Sequence, residues 1–326
     1  MDRIEVSQPL IVVTGRIPEP GLDLLRTAGE VVAWPSDTPA TVAEVHAAVA
    51  GAHATVTLLT TKVDDAFLDA AGPQLKIVAN VAVGYNNIDV PACARRGVIV
   101  TNTPGVLTEA TADIAMSLVL MTTRRLGEGE RVIRSGAPWQ WGMFYMLGTG
   151  IQGRQLGIIG MGDIGQAMAR RAKAFGMTIA YSNRNRVAPE IEAELGAAYM
   201  SMDELLESSD IVSVNCPYSP ATHHLIDDAV LVKMQSHAIL INTARGPIVD
   251  EAALASALHR GEIGGAGLDV FELEPTVHAD LLTCENAVLI PHLGSATVET
   301  RTAMATLAAK NVVAVLSGHD APTRVG

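Results

Sequence analysis

Short runs rich in valine and isoleucine, spaced by amphipathic stretches, constrain this 326-residue chain more than any other feature. In the first third the runs are PLIVVTG from Pro9, EVVAWP from Glu30, ATVTLLT from Ala54, LKIVANVAVG from Leu75 and GVIVTNTP from Gly97. Helix-like segments, such as Thr41 to Val49 and Asp64 to Ala71, lie between them. A second set starts at Gln155 with QLGIIG, followed by MTIAYSN, IVSVNCP, AILINTAR, GAGLDVF and NAVLIPH. Its helices are expected at Ile164 to Ala174, Asp203 to Ser208 and Asp250 to Arg260. Strands of this composition alternating with helices make parallel sheets covered on both faces. The expected class is therefore α/β, with two doubly wound parallel-sheet domains.

A long helix is expected from about Thr108 to Ser135, because T-E-A-T-A-D places a hydroxyl and acids at its start and Gly136 and Pro138 break it. The irregular stretch GAPWQWGMFYMLGTG then holds two of the three tryptophans and one of the four phenylalanines of a chain that is only 4% aromatic. So much aromatic surface in a loop reads as an interface, either with a partner subunit or as an active-site wall. A closing helix from about Val298 to Ser317 has no strand after it. It is expected to return to the first domain and make that domain discontinuous.

Hydrophobic residues make up 48% of the chain, and with few aromatics the cores should be built from Ala, Val, Leu and Ile. Asp plus Glu number 35 against 23 Lys plus Arg, a formal charge of -12. That balance argues against a nucleic-acid partner and against an anionic membrane surface. An anionic substrate must be drawn in by local positive groups. Cys93, Cys216 and Cys284 show no metal or redox spacing and read as small residues in a reducing compartment. The start, MDRIEVSQPLIVV, lacks signal-peptide architecture, and no apolar window is long enough to span a bilayer. A cytoplasmic location is expected.

Residues 156 to 165 read LGIIGMGDIG, which is Gly160-x-Gly162-x-x-Gly165 after a strand and opening a helix. The triplet alone is weak evidence; its strand-turn-helix context makes it a dinucleotide-binding turn. Gly160 permits the tight turn, Gly162 lets backbone approach a pyrophosphate, and Gly165 lets helix and strand pack closely. The N–H groups at the helix start, around Asp163 and Ile164, would face the phosphates. NAD enzymes usually carry an Asp or Glu about 20 residues on, at the end of the next strand. Here that segment is Tyr181-Ser182-Asn183-Arg184-Asn185-Arg186. A polar Asn183 followed by Arg184 and Arg186 points to a 2′-phosphate, hence NADP(H) in preference to NAD(H), unless the arginines are ordinary solvated charges.

Arg245 in INTARGPIVDEAAL, Glu274 in GAGLDVFELEP and His292 in AVLIPHLGSAT each lie at or just past a strand end. Carboxyl ends of strands line the ligand-binding rim of a doubly wound sheet, so the three can converge. Reducing a keto acid needs a hydride at the carbonyl carbon and a proton at its oxygen. Histidine donates protons near neutrality, a carboxylate on its second nitrogen holds the ring and favours its charged form, and arginine grips carboxylate and keto oxygens. No metal is needed. Singly, each has a duller reading: a satisfied core histidine, a structural ion pair, a surface acid. His46, His53, His223, His224, His237, His259, His278 and His319 offer no competing constellation.

VGYNNID from Val83, NTPGVLTEATADIA from Asn102, LGIIGMGDIG, NTARGPIVDEAAL from Asn242, GLDVFELEP from Gly267 and PHLGSAT from Pro291 together resemble the D-isomer-specific 2-hydroxyacid dehydrogenases over almost the whole chain. The spacing of Arg245, Glu274 and His292 also looks like that family's. The resemblance implies two similar α/β lobes, Rossmann-like and flavodoxin-like, with a cleft between them. It implies a substrate domain of residues 1–101 plus 295–326 and a dinucleotide-binding domain of 102–294. It implies Arg245 as substrate anchor, His292 as acid/base and Glu274 as its partner. Backbone N–H groups of Val83 and Gly84, with Leu58 nearby, would take the substrate carboxylate. Thr108, Pro217, Thr222, Thr243, Asp269 and Gly294 resemble cofactor-lining positions. The family's dimers imply a homodimer, with the linking helix and the Trp139–Trp141 loop as its arm.

Within the family, TGRIPEPGLDLL, the SNRNR segment and the two-Trp loop most resemble glyoxylate/hydroxypyruvate reductases. The chain ends at residue 326, without the extension of long 3-phosphoglycerate dehydrogenases, and Glu274 stands where formate dehydrogenases carry Gln. NADPH-dependent reduction of a small 2-keto acid is the function implied. Alternatives are an NAD-linked D-2-hydroxyacid or phosphite dehydrogenase, and a dinucleotide-sensing scaffold like the C-terminal binding protein corepressors.

Overall fold

The computed structural model describes residues 8–325. They divide into two compact units, one formed by residues up to Leu107 together with those from Ala296 on, the other by Thr108–Ser295.

The first unit runs β1 (Leu10–Val13), α1 (Glu19–Arg26), β2 (Glu30–Ala33), α2 (Val42–Val49), β3 (Ala54–Thr57), α3 (Asp65–Ala71), β4 (Ile77–Asn80), α4 (Val90–Arg95) and β5 (Ile99–Thr101). Its sheet order is β2-β1-β3-β4-β5, every pair parallel, which is the flavodoxin-like doubly wound order. The two-residue period of β1 sends Ile11 and Val13 to one face, with Leu25 and Ile77, and Val12 to the other, with Phe67 and Val78. The C-terminal helix, Val298–Leu316, packs on α1, β3 and β4. It comes close because α1 carries Gly21, where a methyl group would sit 2.9 Å from the Ala305 Cβ. Asn102 and Thr103 are tied into this unit by their N–H groups, which donate to the Thr323 and Ala82 carbonyls at 3.3 and 2.8 Å.

The second unit runs α5 (Thr108–Thr123), α6 (Leu126–Arg134), β6 (Gln155–Ile159), α7 (Asp163–Ala174), β7 (Thr178–Ser182), α8 (Pro189–Leu195), β8 (Ala197–Tyr199), α9 (Met202–Ser208), β9 (Ile211–Val214), α10 (Asp228–Leu231), β10 (Ile239–Asn242), α11 (Glu251–Arg260), β11 (Gly265–Leu268) and β12 (Ala287–Leu289). The sheet order β12-β11-β10-β9-β6-β7-β8 is wholly parallel. Counted from β6, it is the dinucleotide-binding order with one further strand at the β12 edge. Leu156, Ile158 and Ile241 fill one face, and Val212, Val214 and Leu240 the other. These are aliphatic cores, as the scarcity of aromatics requires.

Two elements differ from the sequence expectation. The helix expected from Thr108 to Ser135 is two helices, because Arg125 turns left-handed at φ 53°. The end of α5 is closed by a distant segment: the Thr149 N–H donates to the Thr123 carbonyl at 2.8 Å, and Gly148 lies against it too closely for any side chain. The strand β8 was not anticipated. Ala-Ala-Tyr is short and mostly exposed at the sheet edge, and carries no apolar run. No helix of the described residues is long and apolar enough to cross a membrane.

Candidate active site

The glycine turn occupies the point where strand order reverses, between β6 and β9. Gly160 has φ 101°, and a Cβ there would lie 2.5 Å from the Cys216 backbone nitrogen. A Cβ on Gly165 would overlap the Gly160 carbonyl oxygen, so both glycines are sterically required. Around a Cβ on Gly162 there is open space, and Gly162 caps α7 without any side-chain cap. The first N–H groups of α7, at Asp163, Ile164 and Gly165, are therefore presented outward with the helix's partial positive charge. At the ends of neighbouring β9 and β10, Asn215 Oδ1 and Thr243 Oγ1 are buried without a hydrogen-bond partner among the described residues. Orphaned buried acceptors and donors beside an open glycine cradle fit a bound dinucleotide. Burial pushes the adjacent Cys216 thiol up to about 11, so it stays neutral beside any phosphate.

Past β7, Asn183 accepts the Met161 N–H through Oδ1 at 2.8 Å and so braces the turn. Arg184 is exposed, with no ion pair or hydrogen bond among the described residues. Arg186 is committed elsewhere: it donates twice to the Glu192 carboxylate, both bonds 2.7 Å, and lies over the Tyr199 ring. Hydrogen bonds from Arg186 and then Tyr181 hold the Glu192 carboxyl down at about 2. The Thr222 hydroxyl closes its own turn, donating to the Pro217 carbonyl at 2.9 Å and accepting the Ser219 N–H at 2.8 Å. Thr108, half-buried, opens α5.

Arg245, Glu274 and His292 follow β10, β11 and β12, which are neighbours in the sheet. His292 Nδ1 lies 2.7 Å from Glu274 Oε2, and Glu274 Oε1 accepts the Phe271 N–H at 3.0 Å. Burial by itself would push the Glu274 carboxyl up. The hydrogen bond and charge of His292, the Phe271 N–H and the charge of Arg245 outweigh it and hold the group below the ordinary carboxylate range. The Arg245 side chain is half-buried, and burial lowers its pKa against the opposing pull of Glu274. Arg245 Nη1 donates to the Ala244 carbonyl at 2.7 Å, which fixes the root of the guanidinium.

Asp269 builds the backbone beneath His292. Its carboxylate accepts the Leu293 and Gly294 N–H groups at 2.5 and 2.8 Å, and its carbonyl accepts the His292 N–H at 2.8 Å. Thr111 donates to the Gly294 carbonyl at 3.2 Å. Burial raises the Asp269 carboxyl, opposed by these N–H donors and by His292. His292 itself has φ 51°, a left-handed conformation uncommon for any residue but glycine. The bonds to Asp269 hold the backbone in that strained turn.

In the first unit, Leu58 packs onto Gly15, where a Cβ would overlap it. The Val83 carbonyl accepts from Asn102 Nδ2 at 2.9 Å and the Gly84 carbonyl from Asn80 Nδ2 at 3.0 Å. The Val83 and Gly84 N–H groups have no acceptor among the described residues. Asn80 and Asn102 were not singled out from sequence. The available signal was a polar residue closing the apolar run KIVAN, where a fully buried strand should end in something its amide can bind.

The family model "D-isomer specific 2-hydroxyacid dehydrogenase, NAD binding domain" matches residues 116–294. A glyoxylate reductase of Thermococcus onnurineus is 47% identical over 323 residues, covering 98% of this chain and 96% of its own. The structure of a glyoxylate reductase from Paecilomyes thermophila superposes with a TM-score of 0.88 at 33% identity, covering 98% of each chain. An NADPH-dependent glyoxylate/hydroxypyruvate reductase from Sinorhizobium meliloti, solved with NADP and malonate, gives 0.83 at 38% identity, covering 98% of this chain and 97% of that one.

Proposed function

The chain belongs to the D-isomer-specific 2-hydroxyacid dehydrogenases and is an NAD(P)-dependent enzyme of that family, and on that premise we propose that it reduces glyoxylate or hydroxypyruvate with NADPH. The product is the 2-hydroxy acid, of D configuration where it is chiral. The observation that carries this reading is the 2.7 Å bond between His292 Nδ1 and Glu274 Oε2, next to the charge of Arg245. With Nδ1 held by a carboxylate, the ring presents Nε2 as the proton donor, and the carboxylate favours the charged ring. Nε2 gives its proton to the keto oxygen as that oxygen gains charge. Arg245 polarises the same carbonyl and holds the substrate carboxylate. Val83 and Gly84, whose N–H groups have no acceptor among the described residues, are the candidates that the family resemblance offers for the substrate carboxylate. When bound, the nicotinamide supplies the hydride that completes the new C–H bond. The phosphates would lie on the N–H groups of Asp163, Ile164 and Gly165. Thr108, Pro217, Thr243 and Asp269 would line the rest of the cofactor, with Arg184 at the ribose 2′-phosphate.

Arg184 supports NADPH over NADH because it is exposed and unpaired among the described residues, next to Asn183, which stands where an NAD enzyme would place an acid. Initial rates of nicotinamide oxidation, with NADPH and NADH in parallel against glyoxylate, hydroxypyruvate, pyruvate and a branched 2-keto acid, test the reading. Faster turnover of the two smallest hydroxylated or aldehydic acids with NADPH supports it. Higher kcat/KM with NADH overturns the role of Arg184, and preference for the branched acid overturns the substrate.

The working unit is a homodimer. Leu126 and Ile133 on α6, with Trp141, Met143, Phe144 and Leu147 after it, are all exposed, Phe144 by 89%. So many exposed apolar side chains within one segment of a lone chain favour burial against a second copy.

A further inference from the structure

We infer that Glu251 is a positioning residue for the reaction, holding both ends of the loop that presents Glu274 to His292; this rests on the roles given above to those two residues. Glu251 opens α11 and is only 4% exposed, although nothing in the proton transfer requires it. Its Oε1 accepts the Glu272 N–H at 2.6 Å and its Oε2 accepts the His278 N–H at 3.2 Å. One carboxylate thus spans the loop from 272 to 278, with Glu274 between. The clasp is reciprocal, since Glu272 Oε1 accepts the Glu251 N–H at 2.9 Å. Glu272 Oε2 in turn meets His224 Nε2 at 2.9 Å, and His224 Nδ1 lies 3.7 Å from Asp250 Oδ2. The groups facing Glu251 are therefore Glu272 and His278, with His224 and Asp250 behind Glu272.

A separate backbone contact ties the start of the loop to the arginine turn. Gly246 follows Arg245, and a Cβ on it would overlap the Phe271 carbonyl. Phe271 in turn donates the N–H that Glu274 Oε1 accepts. The start of the loop is thus set by the arginine turn and by Phe271, while Glu251 holds it at Glu272 and His278. Position 251 falls on the buried stripe of α11 with Leu254, Ala255 and Leu258, where an apolar residue would cost less. Burial, with Glu272 adding to it, raises the Glu251 carboxyl against its N–H donors. A desolvated acid on an apolar stripe is explained by the two backbone donors it bridges, which no apolar side chain can satisfy.

The test uses the full-length enzyme as wild type, Glu251→Gln, Glu274→Gln and the double variant, with glyoxylate and NADPH across its stable pH range. In Glu251→Gln the new amide keeps one acceptor and turns an N–H toward the second donor, so the loop is released at one end. We expect kcat to fall by about tenfold to a hundredfold, as small misplacements of reacting groups do, with KM for the keto acid unchanged. The basic limb of the kcat profile moves to lower pH, as in Glu274→Gln. The double variant is no slower than Glu274→Gln, because Glu251 acts only through Glu274. Should Glu251→Gln not fold, Glu251→Asp, too short to bridge both N–H groups, is read in the same way. An unshifted limb in Glu251→Gln beside a shifted limb in Glu274→Gln overturns this inference alone, as does a double variant showing the product of the two losses. An unshifted limb in Glu274→Gln overturns the acid/base reading as well.

Discussion

His292 and Arg184 are set up in opposite ways. His292 is strained, at φ 51°, and held by a carboxylate on its ring and by another beneath its backbone. Replacing it with Ala should lower kcat by about 10²- to 10⁴-fold while NADPH still binds, read by fluorescence of the bound nicotinamide. Arg184 is exposed and unpaired among the described residues, so Arg184→Ala should raise KM for NADPH by about tenfold to a hundredfold, the worth of a charge-assisted bond, and leave KM for NADH unchanged. Arg186→Ala should leave both unchanged, because Glu192 remains ionised down to about 2 and keeps Arg186 occupied at any working pH. Glu274 makes a further prediction possible. Its carboxyl is held below the ordinary range in the folded protein, so it adds stability above the unfolded value that is lost as pH falls through the folded one. The gap in Tm between wild type and Glu274→Gln should therefore be widest above about pH 5 and narrow in acid, in a thermal melt series.

Elements place these residues through backbone contact more than through side-chain packing. Gly165 lets α7 start directly over β6, and Gly246 lets the arginine turn lie against the loop after β11. Gly165→Ala forces a methyl group onto the Gly160 carbonyl oxygen. It should cost about 1–3 kcal/mol of stability and weaken NADPH binding together, measured by melting with and without cofactor. The glycine turn, the strand-end positions of Arg245, Glu274 and His292, and the period of β1 were legible in the sequence, because each depends on local spacing. The split between α5 and α6 was not, because the segment at Gly148 and Thr149 that closes α5 lies far along the chain. Nor was the capture of Arg186 by Glu192, since neither residue's identity tells which charge folds onto which.

At the scale of the whole molecule, the homodimer proposed above can be tested. Trp141 and Phe144 are among the most exposed apolar side chains described. Changing both to Ser should convert a dimer to a 34.2 kDa monomer in size-exclusion chromatography with light scattering. If the wild type already elutes as a monomer, the assembly is refuted. Alternating apolar runs determined the α/β class and the two parallel sheets by themselves, because a strand buried on both faces must be apolar throughout. The segments shared with the family likewise pointed to a nicotinamide-dependent dehydrogenase. Only the tertiary structure decided what holds the reactive groups still. Glu251 on an apolar stripe, Asp269 beneath a strained histidine and Asn80 under the Gly84 carbonyl all act on backbone donors and acceptors. Every residue carries such groups, so the sequence has no letter for them, and which of them a buried side chain meets is settled only when the chain has closed.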